Sequence, residues 1–186
     1  MHSLLIRRIS TLLALSATGL TITSVIAPVA FAAGTSEIKL VKTLDDTRGF
    51  CMDMTGSKQQ ASTTSPLQGH TCYDYQGAIA VDQGVTTSLI SSGVLRIPAF
   101  GVWVDGTGVK AGSAVTLKTC GATGTKAITM TPAGLISPVA SAKLCLTIGS
   151  TSTPGGGGTP VHLKRSLTWE TCSAAAADRQ TWTIKS

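Results

Sequence analysis

The sequence predicts an all-β domain that closes as a small barrel with pseudo-threefold symmetry. Three observations point there. A set of short elements recurs in three copies with a period of about 50 residues, the kind of self-similarity that governs every local assignment. The elements themselves are short β-prone runs bounded by Gly, Pro, Asp or Ser. The composition, with 20 glycines and 13% charged residues in a chain of 186, is unlike a long-helix bundle or coiled coil, which would be rich in Glu, Lys, Leu and Arg. A hydrophobic content of 42% supplies a core and argues against intrinsic disorder, and the length suits one domain of ordinary size.

The copies are legible residue by residue. Phe50-Cys51-Met52-Asp53, Val102-Trp103-Val104-Asp105 and Leu144-Cys145-Leu146-Thr147 form one set, and His70-Thr71-Cys72, Lys118-Thr119-Cys120 and Glu170-Thr171-Cys172 a second. Ser92-Gly93-Val94-Leu95 and Ala133-Gly134-Leu135-Ile136 link consecutive units, which run over about residues 37–85, 86–128 and 129–186. Strands are expected over Glu37 to Leu44 up to the Asp45-Asp46 break, Val94 to Ile97, Ala114 to Leu117 and Thr181 to Ile184. Asp105-Gly106 and Thr107-Gly108 read as hairpin turns. Only Ala174 to Ala177 has helix composition, enough for one turn.

The first 32 residues read as an export leader. Arg7 and Arg8 precede the apolar run Leu12 to Leu15, no charge follows until Glu37, and Ala30-Phe31-Ala32 offers small residues where a signal peptidase reads. The expected mature chain, residues 33–186, is then secreted and extracellular, with no stable membrane insertion. The adjacent arginines leave Sec and twin-arginine export both open. The formal charge is +6, but two of those cations lie in the leader and the rest are scattered. Only Lys164 and Arg165 adjoin in the mature part, and they read as a solvated face. Nucleic-acid binding needs clustering that is missing here.

All five cysteines fall after the leader. An odd count in an oxidising compartment predicts two bridges and one leftover thiol. No C-x-x-C pair supports a zinc ribbon or a redox site, and the alternation His70, Cys72, Asp74 has no second histidine nearby, so no metal is expected. Gly155 to Gly158 between Pro154 and Pro160 lacks the Lys-Ser/Thr ending of a phosphate loop; Ser150 to Pro160 reads as a flexible inserted loop.

With the C-M-D of the first unit, its Leu67-Gln68-Gly69-His70-Thr71-Cys72 and Asp82-Gln83, and the Gln180-Thr181-Trp182 triplet of the third, the chain resembles the ricin B-type lectins, whose fold is a β-trefoil with a hairpin cap. The resemblance covers roughly Glu37 to Ser186. Only the third unit keeps the whole Q-x-W triplet; the first has Gln83-Gly84-Val85 and the second Lys126-Ala127-Ile128, each retaining an apolar residue for the core. The resemblance implies bridges within units, Cys51 with Cys72 and Cys145 with Cys172, each worth roughly 3 kcal/mol by restricting the unfolded chain. Trp103 occupies the partner position in the second unit and leaves Cys120 unpaired, as a buried small hydrophobe or as an intermolecular link in a homo-oligomer.

The resemblance further implies glycan binding with a galactose-type ligand and no cofactor. A saccharide site needs a carboxylate or amide for adjacent hydroxyls and a flat face for the apolar side of the ring. Carried onto the first unit, the family's site residues are Asp53, Gln68, His70 in place of a larger aromatic, Asp82 in place of an amide, and Gln83; Tyr73 or Tyr75 is an alternative platform. The second unit keeps Asp105 but has Thr116, Lys118, Thr125 and Lys126. The third has Thr147, Thr168, Glu170 and Arg179, with Gln180 its one match, so both sites are expected to be vacant. Catalysis is not expected: the mature part holds just His70 and His162, with no G-x-S-x-G or H-E-x-x-H motif, and Asp53 with Asp82 as a glycosidase pair is displaced by the hydroxyl-acceptor role. The alternatives to a lectin are a protease inhibitor presenting a loop and a degenerate trefoil serving as a protein-interaction module.

Overall fold

The structure, a computed structural model, describes residues 34–73, 79–119 and 126–185. The expected leader, Asp74, Tyr75, Cys120 and Thr125 lie outside the described residues. The fold is all-β, and every strand pairing is antiparallel.

In the first unit β1 (Thr35–Leu40), β2 (Phe50–Asp53), β3 (Gln68–Thr71) and β4 (Gly84–Thr86) follow in chain order. The second holds β5 (Arg96–Ile97), β6 (Val102–Asp105), β7 (Ser113–Ala114), β8 (Thr116–Thr119) and β9 (Ile128–Met130). The third holds β10 (Ile136–Pro138), β11 (Leu144–Ile148), β12 (Thr153–Pro154), β13 (Leu163–Thr171), the one-turn helix α1 (Ala177–Gln180) and β14 (Trp182–Ile184). One sheet runs β11-β13-β3-β2-β1-β14, with β12 and β7 on β13 and β4 on β1. Pairs β9–β10 and the trio β5-β6-β8 stand beside it. Among the described residues this pairing path does not return on itself to close a ring.

The expected strands form, with shifted ends. Val94 and Leu95 precede β5 rather than joining it, and the run Ala114 to Leu117 is split at Val115, whose N–H leaves its own hairpin to bond Leu167 O at 3.2 Å. The Asp105 turn forms: its Oδ1 accepts from Thr107 N at 3.0 Å and Thr107 Oγ1 at 2.7 Å. Ala174–Ala176 is a 3-10 turn capped by the Ser173 side chain, running straight into α1.

The core gathers one apolar face from each strand: Ile38 and Leu40, Phe50 and Met52, Val102 and Val104, Leu144 and Leu146, Leu167 and Trp169. The residues at the Q-x-W tryptophan position in the three units, Val85, Ile128 and Trp182, are all buried, and Trp182 donates Nε1 to Leu146 O at 2.9 Å. Two linking glycines play matching parts. Gly93 (φ +87°) accepts from Ile128 N at 3.1 Å, and Gly134 (φ +83°) accepts from Trp182 N at 2.8 Å. Both sit in the left-handed region that an L side chain resists.

Two bridges form as the resemblance implies, Cys51–Cys72 and Cys145–Cys172, with Cα separations of 4.9 and 5.0 Å. Two disulfides fit an oxidising compartment. Among the described residues no helix is long and apolar enough to cross a membrane.

Candidate functional site

The residues expected to hold a ligand in the first unit come together. Strands β2 and β3 pair Asp53 with Gln68 and Cys51 with His70, so the carboxylate, the amide and the imidazole arise from alternate rungs of one hairpin, on the same face. Gln83, just before β4, then locks the cluster. Its Nε2 donates to Asp53 Oδ2 at 2.6 Å and to Thr71 O at 3.1 Å, while its Oε1 accepts from Tyr73 N at 2.9 Å. Gln68 Nε2 reaches Asp53 Oδ1 at 3.5 Å. Asp82 faces the loop between β2 and β3, where its Oδ2 accepts from Lys58 N at 2.6 Å.

The cluster is filled rather than open. Asp53, His70, Asp82 and Gln83 are all under 5% exposed, and Gln68 alone is half-exposed. Tyr73 stacks on His70 with ring centres 5.2 Å apart, and His162 meets both rings edge-on at 5.4 and 5.0 Å. Tyr73 therefore covers the imidazole instead of offering a free platform. A Cβ on Gly155 would stand 2.6 Å from His70 Nε2, so only glycine lets the third-unit loop lie this close over the first unit. Burial pushes the Asp53 carboxyl well above the usual range, with Asp82 adding to the effect, and it likewise raises Asp82. Burial lowers both histidines. Asp53 and Gln83, desolvated and bonded to each other, are spent on structure, while Asp82 keeps Oδ1 buried without a hydrogen bond.

That third-unit loop is not the flexible insertion its glycines suggest. Strand β12 pairs with β13, and Gly155 N bonds His162 O at 2.6 Å. Arg48 reaches from the first unit to Pro160 O at 2.9 Å and Val161 O at 3.0 Å, with its other donors on Asp46 at 2.8 Å. Asp46 also accepts from Thr71 Oγ1 at 2.7 Å; against the cost of burial, Arg48 and Thr71 hold its carboxyl down at about 2. Arg165, read from sequence as solvated, is buried: it lies over the Phe50 ring at 5.1 Å and bonds Asp45 Oδ1 at 2.7 Å and Gly149 O at 2.6 Å. The Asp45-Asp46 break is thus an anchoring point for two arginines, a role the sequence signalled only as adjacent acids.

The third unit repeats the amide lock. Gln180 Nε2 donates to Thr147 Oγ1 at 2.9 Å and to Thr171 O at 3.1 Å, and its Oε1 accepts from Ser173 N at 3.0 Å. These four positions match Gln83, Asp53, Thr71 and Tyr73. A polar hollow of about 510 Å³ opens over the lock, bounded by Thr147, Gly149, Ser166, Thr168, Glu170, Arg179 and Gln180. On β13 the outward residues Ser166, Thr168 and Glu170 face it while Arg165, Leu167 and Trp169 point to the core. The site expected to be vacant is therefore the open one. In the second unit Asp105 is occupied by Lys118 at 3.1 Å, and Lys118 and Thr107 outweigh burial to lower its carboxyl.

Among the described residues, the one acid, cysteine and histidine grouping with metal-like proximity is Glu37 with Cys51 and Cys72, ligand atoms all within 4.8 Å. Both sulfurs are in the disulfide and offer no thiolate. Glu37 is wholly buried with neither carboxylate oxygen bonded, and burial, opposed by Lys185 and Lys39, lifts its carboxyl to about 7.

No protein family matches the chain, and no curated protein does. Among solved structures, seven chains match. One is the mdaA-1 domain, a solution structure, at a TM-score of 0.55 and 18% identity over 82% of this chain and 90% of that chain. The likeness bears on the fold alone: this chain is similar in its all-β architecture to the mdaA-1 domain.

Proposed function

We propose that the chain is a ricin B-type β-trefoil that binds saccharides without catalysis, and that its accessible site is the third-unit hollow rather than the first-unit cluster. The observation that carries this reading is the repeated amide lock: Gln83 on Asp53, Thr71 and Tyr73, and Gln180 on Thr147, Thr171 and Ser173. The same hydrogen bonds in two units argue for one ancestral pocket. The matching glycine contacts to Ile128 and Trp182 and the two intra-unit disulfides support the trefoil in the same way.

The chemistry of the open hollow suits a hydroxylated ligand. Its walls present the hydroxyls of Ser166 and Thr168 and one charge of each sign, Glu170 and Arg179, over a floor of buried Thr147 and Gln180 that bond each other. Fixed donors and acceptors select sugar hydroxyls by geometry at little ordering cost. A single open site of this kind gives millimolar affinity, about −4 kcal/mol, so secreted copies gain useful strength by clustering on multivalent glycans. A glycan array on the purified protein tests the reading. Binding that Thr168→Trp abolishes supports it, and silence across the array from a folded protein refutes it.

A second reading has its own observation. The Ser150 to Pro160 segment, held by Arg48 and by Ser152 Oγ on Asp45 at 2.6 Å, is preorganised as a protein-binding loop would be. Inhibition in a protease panel, lost on Arg48→Ala, would favour it.

A further inference from the structure

We propose that the third-unit hollow selects a sugar bearing a single carboxylate, a hexuronic acid residue, with Arg179 as its anion anchor. This rests on the reading of the hollow as a saccharide site and goes beyond it in charge. The two amide locks differ most in electrostatics. In the first unit the residue beside the glutamine is Asp82 and the residue it grips is Asp53, both acids. In the third the same places hold Arg179 and Thr147, so a buried pair of carboxylates has given way to a guanidinium beside a neutral hydroxyl.

Arg179 is largely unspent. It is half-exposed at the end of α1, and among the described residues its one protein partner is Ile148 O, at 3.3 Å from Nη1. Arg179 lines the hollow, and its remaining donors have no acceptor among the described residues. A planar fork of that kind matches a carboxylate in bidentate fashion, and charge-assisted bonds are shorter and about twice as strong as neutral ones. Glu170 lines the same hollow but forms no ion pair with Arg179 among the described residues. Its carboxylate accepts sugar hydroxyls and repels a second anionic group, which excludes polysulfated chains and leaves room for one charge. The volume of about 510 Å³ accommodates a mono- or disaccharide.

The test compares two ligands alike except at C6, methyl α-galacturonide and methyl α-galactoside, titrated into the purified protein and followed by the side-chain amide signals of Gln180. The galacturonide is expected to bind roughly tenfold more tightly, and its advantage to fall as salt rises. Arg179→Gln removes that advantage, and Arg179→Lys restores part of it. Unchanged tryptophan indole signals establish that a variant is folded, and the salt series on the unsubstituted protein tests the charge claim without any variant. Equal affinities, or a tighter galactoside, overturn the carboxylate preference while leaving saccharide binding intact. Tight galacturonide binding by Arg179→Gln overturns Arg179 as the anchor. Gln180 signals that neither sugar moves overturn both readings together.

Discussion

The first and third units carry the same amide lock to opposite ends. In the first, Gln83 grips a buried aspartate, and Tyr73, His162 and the Gly155 backbone close over the neighbouring His70. In the third, Gln180 grips a threonine and the space above stays open. The difference lies less in the pocket residues than in what neighbouring elements lay across them. Arg48 ties the third-unit loop to the first unit and Arg165 ties β13 to Asp45, and among the described residues no comparable strap covers the third. The same hydrogen-bonded glutamine can thus sit under a covering loop or beside open space.

The largest effect that separates the units comes from the amide itself. Gln83→Leu strands the Asp53 carboxyl, Thr71 O and the Tyr73 N–H in a dry interior and is expected to cost on the order of 3 kcal/mol. Gln180→Leu strands Thr171 O and the Ser173 N–H, both part-buried, and a Thr147 hydroxyl that keeps its bond to Cys145 O, with no carboxylate among them, and is expected to cost about 1.5 kcal/mol. Paired urea titrations measure both, and equal losses would break the comparison. The disulfides are where the units agree. They span 21 and 27 residues, so replacing either pair with alanine is expected to cost about 3 kcal/mol, with the two losses close to each other.

Glu37 sharpens the picture of the first unit's interior. Its carboxyl is raised from 4.5 to about 7 in the folded chain, so the fold favours the protonated form. No penalty applies below pH 4.5; it grows as pH rises toward 7 and is complete above that. Glu37→Gln is therefore expected to stabilise the protein by roughly 2 kcal/mol at pH 8 and to leave it nearly unchanged at pH 4. Melting curves across that range check it, and a pH-independent difference would contradict the burial account. The smallest effect is on the strap: Gly155→Ala pushes a methyl into His70 and is expected to cost about 1 kcal/mol, without altering the Gln180 signals.

Much of this was written in the sequence, and the part that was not has a physical reason. Cys51, Cys72, Cys145 and Cys172 pair as the resemblance implied, and Val85, Ile128 and Trp182 share a buried position because an apolar residue was kept at each. Asp53, Gln68, His70 and Gln83 do assemble, since β2, β3 and the approach to β4 bring them together through local pairing. Accessibility was not legible, because it depends on contacts across more than 100 residues of chain: Arg48 on Pro160 and Arg165 on Asp45. Four glycines in a row signal freedom in isolation, yet here Gly155 supplies the close approach to His70 and Gly158 one to His162. The third-unit hollow was hidden for a related reason. Thr147 and Arg179 depart from the family's residue types, while the lock that shapes the space needs only Gln180 and a hydroxyl.

The most direct test of the account follows the side-chain amides of Gln83 and Gln180 by NMR while a soluble galactose-type or uronic-acid saccharide is added. The account predicts a saturable shift at Gln180 with Gln83 unmoved. A shift at Gln83 with Gln180 silent would contradict it.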